Sequence, residues 1–110
     1  MSENITYQHV DEFKSIYVKS EGLGIETDDE LKQLLENAYS LVVSYSKDFE
    51  MDTHPTGRML VYDAARYIRA NASELFFQNF KPDLNAFGFN LLVEDREEKL
   101  NATQERGQWY

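Results

Sequence analysis

The sequence predicts a mainly α protein: a small helical bundle with one short extended arm or hairpin near the C-terminus, followed by a flexible charged tail. Apolar residues recur at intervals of three and four as far as Phe80, which is the period of helices packed on a core. A capping box also marks one helix start. The 110 residues suit a single domain. We expect a helical domain over residues 1–93 and an acidic tail over residues 94–110.

The first predicted helix begins after Thr6, which has the side chain of an N-cap residue. Charged residues occupy one face of this helix, and the apolar face comprises Val10, Phe13, Ile16 and Tyr17. Gly22 and Gly24 end this helix, because glycine readily adopts the left-handed conformation of a helix exit.

The second predicted helix, over residues 28–47, has the clearest start. Thr27 and Glu30 have the spacing of a capping box, and Asp28 and Asp29 between them face the positive end of the helix dipole. The acidic group also resembles a metal or general-acid cluster, but a cap explains the order of these residues. The apolar face behind it comprises Leu31, Leu34, Leu35, Ala38, Leu41, Val42 and Tyr45.

The third predicted helix begins at Pro55, with Thr53 or His54 as its cap, because proline suits the first helical turn. Apolar residues occupy more than one face over residues 58–71, which is typical of a central helix. The small pair Ala64 and Ala65 would let a neighbouring helix approach closely.

The chain after the third helix is harder to interpret. Residues 72–80 either prolong that helix or begin another, and Pro82 is expected to end it. Phe87, Phe89, Leu91 and Val93 then alternate with other residues, which favours a strand or extended arm over a helix, although residues 85–93 leave both open. A lone strand would have to pair with a hairpin mate or with another copy of the chain.

Composition excludes several functions. With 11 basic and 20 acidic side chains the net charge is −9, which excludes a module that binds duplex DNA by neutralising phosphates. The chain has no cysteine, and His9 and His54 lack the spacing of paired metal ligands. We therefore expect no catalytic residues, no metal and no cofactor. Because there is neither a long apolar run nor a signal-peptide core, we expect a soluble intracellular protein.

The charges are unevenly distributed along the chain. Residues 53–80 form the segment that is not acidic, owing to Arg58, Arg66 and Arg69. One interpretation is that this helix neutralises the acidic second helix within the molecule. The other is that either strip meets a complementary strip on a neighbouring subunit, where charge steers docking and sets register.

Clustered aromatic residues provide the candidates for partner contact. Phe76, Phe77 and Phe80 cannot all face one core from a single helix, so they form either an aromatic lid on the bundle or a docking surface. Trp109 and Tyr110, at the end of a charged tail, pose the same choice. The candidate contact residues are Phe77, Phe80, Phe87, Phe89, Arg66, Arg69, Trp109 and Tyr110.

The order of these parts resembles a known family. A short helix containing residues 10–14 leads through a glycine loop to the acidic entry at residues 27–31. A turn with His54 and Pro55 then leads into residues 60–67 and the aromatic segment. Over residues 5–93 this arrangement resembles the head–tail connector (adaptor, or head-completion) proteins of long-tailed bacteriophages.

The resemblance implies a structural virion protein. Members of that family are small helical bundles, not enzymes, and assemble into a homo-oligomeric, commonly dodecameric ring under the portal protein. The ring extends the DNA channel and supports a stopper or tail-completion protein, while genomic DNA passes through without specific binding. It would form in the host cytoplasm and reside at the head–tail interface of the virion, with no membrane involved. The predicted arm would pair with a neighbouring subunit, and Trp109 and Tyr110 would reach the portal.

Two other functions fit the same composition. A net charge of −9 is also typical of a small acidic regulator or DNA mimic, although Arg58, Arg66 and Arg69 would interrupt its row of carboxylates. An enzyme subunit with Asp28 and Asp29 as a carboxylate site is the third possibility, and the capping box argues against it.

Overall fold

In the part of the chain that it describes, the computed structural model contains four helices and no strand. They are α1 (Tyr7–Glu21), α2 (Asp28–Tyr45), α3 (Pro55–Arg69) and α4 (Ser73–Glu105). The described residues are 4–21 and 26–105, with the side chains of 4–17 and 26–97. The prediction of a mainly α bundle is therefore confirmed. The predicted glycine loop and the predicted contact residues Trp109 and Tyr110 lie outside the described residues.

The starts of the first two helices agree with the sequence. The Thr6 carbonyl accepts the backbone N–H groups of His9 and Val10, so α1 begins one residue later. At the start of α2 the Glu30 N–H donates to Thr27 Oγ1 at 3.1 Å, and the Thr27 N–H donates to the Glu30 carboxylate at 2.9 Å. The predicted capping box is thus complete.

The central position predicted for α3 is also confirmed, because α3 packs against both α2 and α4. Pro55 occupies its first turn, and His54 is the N-cap residue. Ala64 and Ala65 are fully buried, so the backbone of α3 approaches its neighbours closely.

A tight turn separates α3 from α4. Asn71 has a positive φ of 58°, and its N–H donates to the Ile68 carbonyl at 2.9 Å. The Ala72 N–H donates to the Tyr67 carbonyl at 2.8 Å, which completes the paired hydrogen bonds of a Schellman motif. Asparagine tolerates this left-handed conformation better than most residues. A separate helix therefore follows α3.

The predictions of an extended arm at residues 87–93 and of a helix end at Pro82 were wrong. Pro82 lies inside α4, and residues 87–93 are helical. Phe76, Leu84, Phe87 and Leu91 on the two sides of Pro82 are buried. Each such burial contributes about 1.5–3 kcal/mol, whereas an interior proline costs a helix about 3 kcal/mol. The free energy gained by burying these side chains on one continuous helical face exceeds the cost of Pro82, whose own side chain is exposed.

The helix α4 crosses the predicted boundary at residue 93 without a break and continues to Glu105. Its 33 residues span about 50 Å at 1.5 Å per residue. This length makes the molecule elongated, with principal extents of 60 × 29 × 23 Å. Residues 94–105 of the predicted tail are thus a helical continuation of the bundle's fourth helix.

Side chains from every helix form one apolar core. The loop before α3 joins this core through Phe49 and Met51, and Tyr39 of α2 donates its hydroxyl to the Phe49 carbonyl at 2.7 Å. The largest fully buried side chains are Tyr62, Phe13, Phe76, Ile5, Leu31, Leu35, Leu84, Val10, Val42 and Val61.

Gly57 in α3 is where the loop, α3 and α4 come closest together. A Cβ at this position would lie 2.5 Å from Phe87 Cζ and 2.6 Å from a ring carbon of Phe49. The two rings pack edge to face, with centroids 4.9 Å apart. Only a residue without a side chain leaves room for both rings.

We expect Gly57→Ala to lower the free energy of unfolding by about 1–3 kcal/mol, because the added methyl overpacks two confined rings. This is opposite to the gain of about 1 kcal/mol that alanine normally gives inside a helix. Urea denaturation followed by circular dichroism measures the change.

Gly88→Ala in α4 is the matched control. Its Cβ would lie 3.4 Å from Ser46 Cα, an ordinary contact, so we expect a change within about 1 kcal/mol in the stabilising direction. Stabilisation of similar size by both substitutions would contradict the role of Gly57.

Candidate interaction surface

The solvent-facing side of α4 carries two large apolar side chains next to each other. Phe89 is 65% exposed and Leu92 is 60% exposed. Residues three apart are neighbours on a helix surface, so the two form a continuous projection, here called the α4 ridge. Arg96, one turn beyond Leu92, is exposed on the same side. Adjacent exposed apolar residues of this size are typical of interaction surfaces.

A groove separates the α4 ridge from the end of α2. It holds about 460 Å³ and is lined by Tyr45, Ser46 and Lys47 from the α2 side and by α4 residues that include Gly88. Lys47 forms an ion pair with Asp95 across this groove. The contact ties α2 to α4 and holds the ridge in place.

A second groove lies on the other side of α4, against α3, and is here called the α3 groove. It holds about 400 Å³, and Met59 beside it is 40% exposed. Its lining combines apolar side chains with two carboxylates: Pro55, Thr56, Met59, Leu60, Asp63, Phe80 and Asp83. A concave apolar surface with few polar groups is typical of a binding site.

The predicted aromatic contact residues differ in exposure. Phe77 is half-buried and stacks on Tyr45, with centroids 4.4 Å apart. Phe80 is half-buried, stacks on Phe76 at 5.0 Å and lines the α3 groove. Phe87 is buried in the core and is not on the surface, which corrects its selection as a contact residue. Of the selected phenylalanines, Phe89 is the one that is largely exposed.

The arginines of α3 form ion pairs within the molecule. Arg69 forms an ion pair with Glu26, and this hydrogen bond lowers the pKa of the Glu26 carboxyl. Arg66 lies 3.4 Å from Asp63 and over the Tyr17 ring. The contacts favour neutralisation within the chain. Arg58, the third arginine of this helix, pairs with Glu12 of α1 at 3.3 Å. The carboxylates thus come from α1, from α3 itself and from the residue before the α2 cap, whereas the sequence suggested the acidic face of α2.

Two buried tyrosines of the core bind further carboxylates. Tyr62 donates to Glu12 at 2.6 Å, and Tyr17 donates to Asp63 at 3.2 Å. Burial is the main cause that raises the pKa of each phenol. The tyrosines therefore remain neutral donors that hold α1 against α3. These carboxylates serve packing, and the arrangement does not resemble an acid–base pair in a cleft.

The two histidines have opposite hydrogen-bond patterns. His9 Nδ1 accepts the Thr6 N–H at 2.9 Å, so Nε2 carries the proton and donates to Asp52 at 2.8 Å. This pattern is that of a neutral imidazole. His54 faces acceptors on both sides: the Glu50 carbonyl at 3.0 Å from Nδ1 and the Glu94 carboxylate at 3.0 Å from Nε2.

His54 therefore links the start of α3 to α4, and its protonated ring would donate at both nitrogens. The hydrogen bond to Glu94 is the main cause that raises the pKa of His54 above its ordinary value. A cation at a helix N-terminus is unfavourable by itself, and Glu94 offsets that cost. The pair lies within two turns of the α4 ridge and fixes this part of α4.

Sequence reasoning missed Leu92 and Met59 as surface residues. Leu92 was assigned to a strand, where it lies on the face opposite Phe89, whereas a helix brings the two together. Met59 is one of several apolar residues on a helix that the sequence predicts to be contacted from several sides. The three-residue spacing of Phe89 and Leu92 was the available signal, and the competing alternation concealed it.

We expect the stabilising contribution of His54 to decrease as the pH rises. A raised folded-state pKa gives stability that is full below the unfolded value of about 6.5 and is lost as the pH rises through the folded value. His54→Gln should therefore lower the free energy of unfolding by up to about 1 kcal/mol more at pH ~5.5 than at pH ~8.5. Urea denaturation at both values measures this difference.

Glu94→Gln is the control for this pH dependence. It removes the carboxylate and keeps the size of the side chain, so His54→Gln in that background should show a smaller dependence on pH. An unchanged dependence would assign the effect to another group.

Metal binding, membrane spans and likeness to known proteins were also considered for this chain. Among the described residues, there is no group of three or more side chains that could hold a metal ion. No helix in the same part of the chain combines the length and apolar character of a membrane span. No protein-family model, curated protein or solved structure matches this chain.

Proposed function

We propose that this protein is a structural component of a bacteriophage virion, a ring-forming head–tail connector that docks under the portal and extends the DNA channel. It acts by contact between copies and with its neighbours, without catalysis and without a cofactor. A stopper or tail-completion protein would bind the other side of the ring. The site of action would be the head–tail interface, after assembly in the host cytoplasm.

One observation carries the proposal: the bundle has a complete core and still exposes large apolar residues. Phe89 and Leu92 project from α4, while Met59 borders a groove on the other side of that helix. Adjacent exposed apolar side chains of this size favour binding to other proteins. The order of elements in residues 5–93 supports a connector as the kind of assembly.

The charge of the chain is compatible with a DNA channel. A net charge of −9 does not favour binding to phosphates, so DNA would slide past the ring without adhering.

The alternative of a DNA mimic has less support from the geometry. A mimic presents free carboxylates at regular spacing along one face. Here Glu12, Glu26 and Asp63 bind basic or tyrosine side chains of the same molecule. Further carboxylates pair with lysines, namely Asp28 with Lys14, Glu36 with Lys32 and Asp95 with Lys47.

Co-purification with the portal protein encoded near this gene tests the proposal. We expect electron microscopy and native mass measurement of the mixture to show a closed ring of this chain on the portal. Added DNA should bind neither the free chain nor the ring at about 0.15 M salt. A chain that stays monomeric and ignores the portal would refute the proposal, and tight salt-sensitive binding to a basic nucleic-acid enzyme would favour the regulator instead.

A further inference from the structure

We infer that two copies of this chain bind head to tail, with the α4 ridge of one copy seated in the α3 groove of the next. This inference rests on the proposed function, because a ring of more than two copies needs two different surfaces on each copy. It goes further by assigning those surfaces to particular residues and by naming a second copy as the occupant of the groove.

The α4 ridge has the shape of the inserted part. Phe89 and Leu92 are both more than half exposed, at 65% and 60%, and they lie one helical turn apart. The backbone beneath them is held by Phe87 and Leu91, which are buried, and by the His54–Glu94 contact. A rigid projection loses little conformational entropy on binding, which favours its use as an anchor.

The α3 groove has the shape of the receiving part. Pro55, Met59 and Phe80 provide apolar walls around about 400 Å³, with Leu60 at the base. Met59 is an adaptable side chain suited to packing against an aromatic ring. Phe80 is braced by Phe76 and Tyr67, whose centroids lie 5.0 and 5.7 Å from its own. The groove is thus preformed.

The charges beside the two surfaces are complementary. Arg96 lies beside the ridge, and Asp83 lies at the edge of the groove. Both are exposed, and neither forms an ion pair with the side chains that the structure describes. Asp63 also lines the groove, but it already contacts Arg66 and Tyr17 of its own molecule. Ridge against groove allows Arg96 of one copy to pair with Asp83 of the next, whereas ridge against ridge offers Arg96 no carboxylate of the groove, so charge favours the contact between unlike surfaces.

Two variants test the inference, one that disrupts the α4 ridge and one that blocks the α3 groove. The ridge variant is Phe89→Ser with Leu92→Ser. The groove variant is Met59→Lys, which places a cation where Arg96 would approach. Leu75→Ser is the matched control, because Leu75 is 43% exposed on α4 and lines neither surface. Circular dichroism and thermal denaturation first establish that each variant folds like the wild type.

Sedimentation velocity at up to about 1 mM protein then measures self-association. We expect the wild type and Leu75→Ser to associate beyond the dimer. The ridge variant and the groove variant should each associate about tenfold or more weakly. A mixture of these two variants should form dimers and nothing larger, because the intact groove of one binds the intact ridge of the other.

Charge reversal adds an independent test. Arg96→Glu alone and Asp83→Lys alone should each weaken association. A chain carrying both substitutions should regain it, because the reversed pair is again complementary between copies. Failure of the double variant to recover would overturn the assigned charge contact.

The remaining outcomes separate this inference from the proposed function. A wild type that stays monomeric at about 1 mM, or one whose association none of the variants alters, overturns the inference. Association by the groove variant at wild-type strength indicates a symmetric ridge contact, which also overturns it. If the variants still form rings on the portal, the inference fails and the connector function stands. If head-to-tail association occurs without portal binding, the inference stands and the connector function fails.

Discussion

The packing of Phe87 against Phe49 over Gly57 determines where the second half of α4 lies. Gly57 leaves no side chain between α3 and these rings, and the rings meet edge to face at 4.9 Å. His54 packs near both rings, with centroids 6.0 Å from Phe49 and 6.3 Å from Phe87. One contact thus joins the α2–α3 loop, the start of α3 and the middle of α4. The buried side chains of Leu84 and Leu91 and the ion pair between Lys47 and Asp95 anchor α4 beyond Pro82 together with this contact.

The exposure of the α4 ridge follows from this contact through helical geometry. Successive residues on a helix are separated by about 100°, so a residue two positions from a buried one points away from the core. With Phe87 and Leu91 inward, Phe89 between them is forced outward, and Leu92 lies beside it. The ridge is therefore a consequence of the core. A substitution that moves Phe87 would be expected to alter the surface as well as the stability.

The helix starts were predicted correctly because interactions within a single helical turn determine them. Thr27 and Glu30 determine the start of α2, and Pro55 determines the start of α3, because capping and the missing proline N–H act within one turn. The sequence favoured an extended arm for the second half of α4 because the apolar residues at 87–93 fit both the two-residue period of a strand and the 3.6-residue period of a helix. Their alternation suggests a strand, while the spacing of Leu84, Phe87 and Leu91 suits a helix. The choice depends on Gly57 and Phe49, at least thirty positions away in the chain, and no local pattern contains that information.

The surface was predicted only in part for a related reason. Phe89 was selected because aromatic residues are frequent at interfaces, and its exposure agrees with that reasoning. Phe87 was selected on the same ground and lies in the core, so composition alone does not separate anchors from core residues. The partners of Arg66 and Arg69 depend on the approach of α1 and of the residue before α2, which is tertiary information.

The net charge and the apolar ridge have opposite effects on association, and their combination restricts how copies can meet. A charge of −9 on each copy opposes any random approach of two molecules. The repulsion is long-ranged at low salt and is screened beyond about 8 Å at physiological ionic strength. The contact that we infer, which places Arg96 near a carboxylate and buries Phe89 and Leu92, would oppose this repulsion locally. The net negative charge would therefore also keep an exposed apolar ridge from causing indiscriminate aggregation.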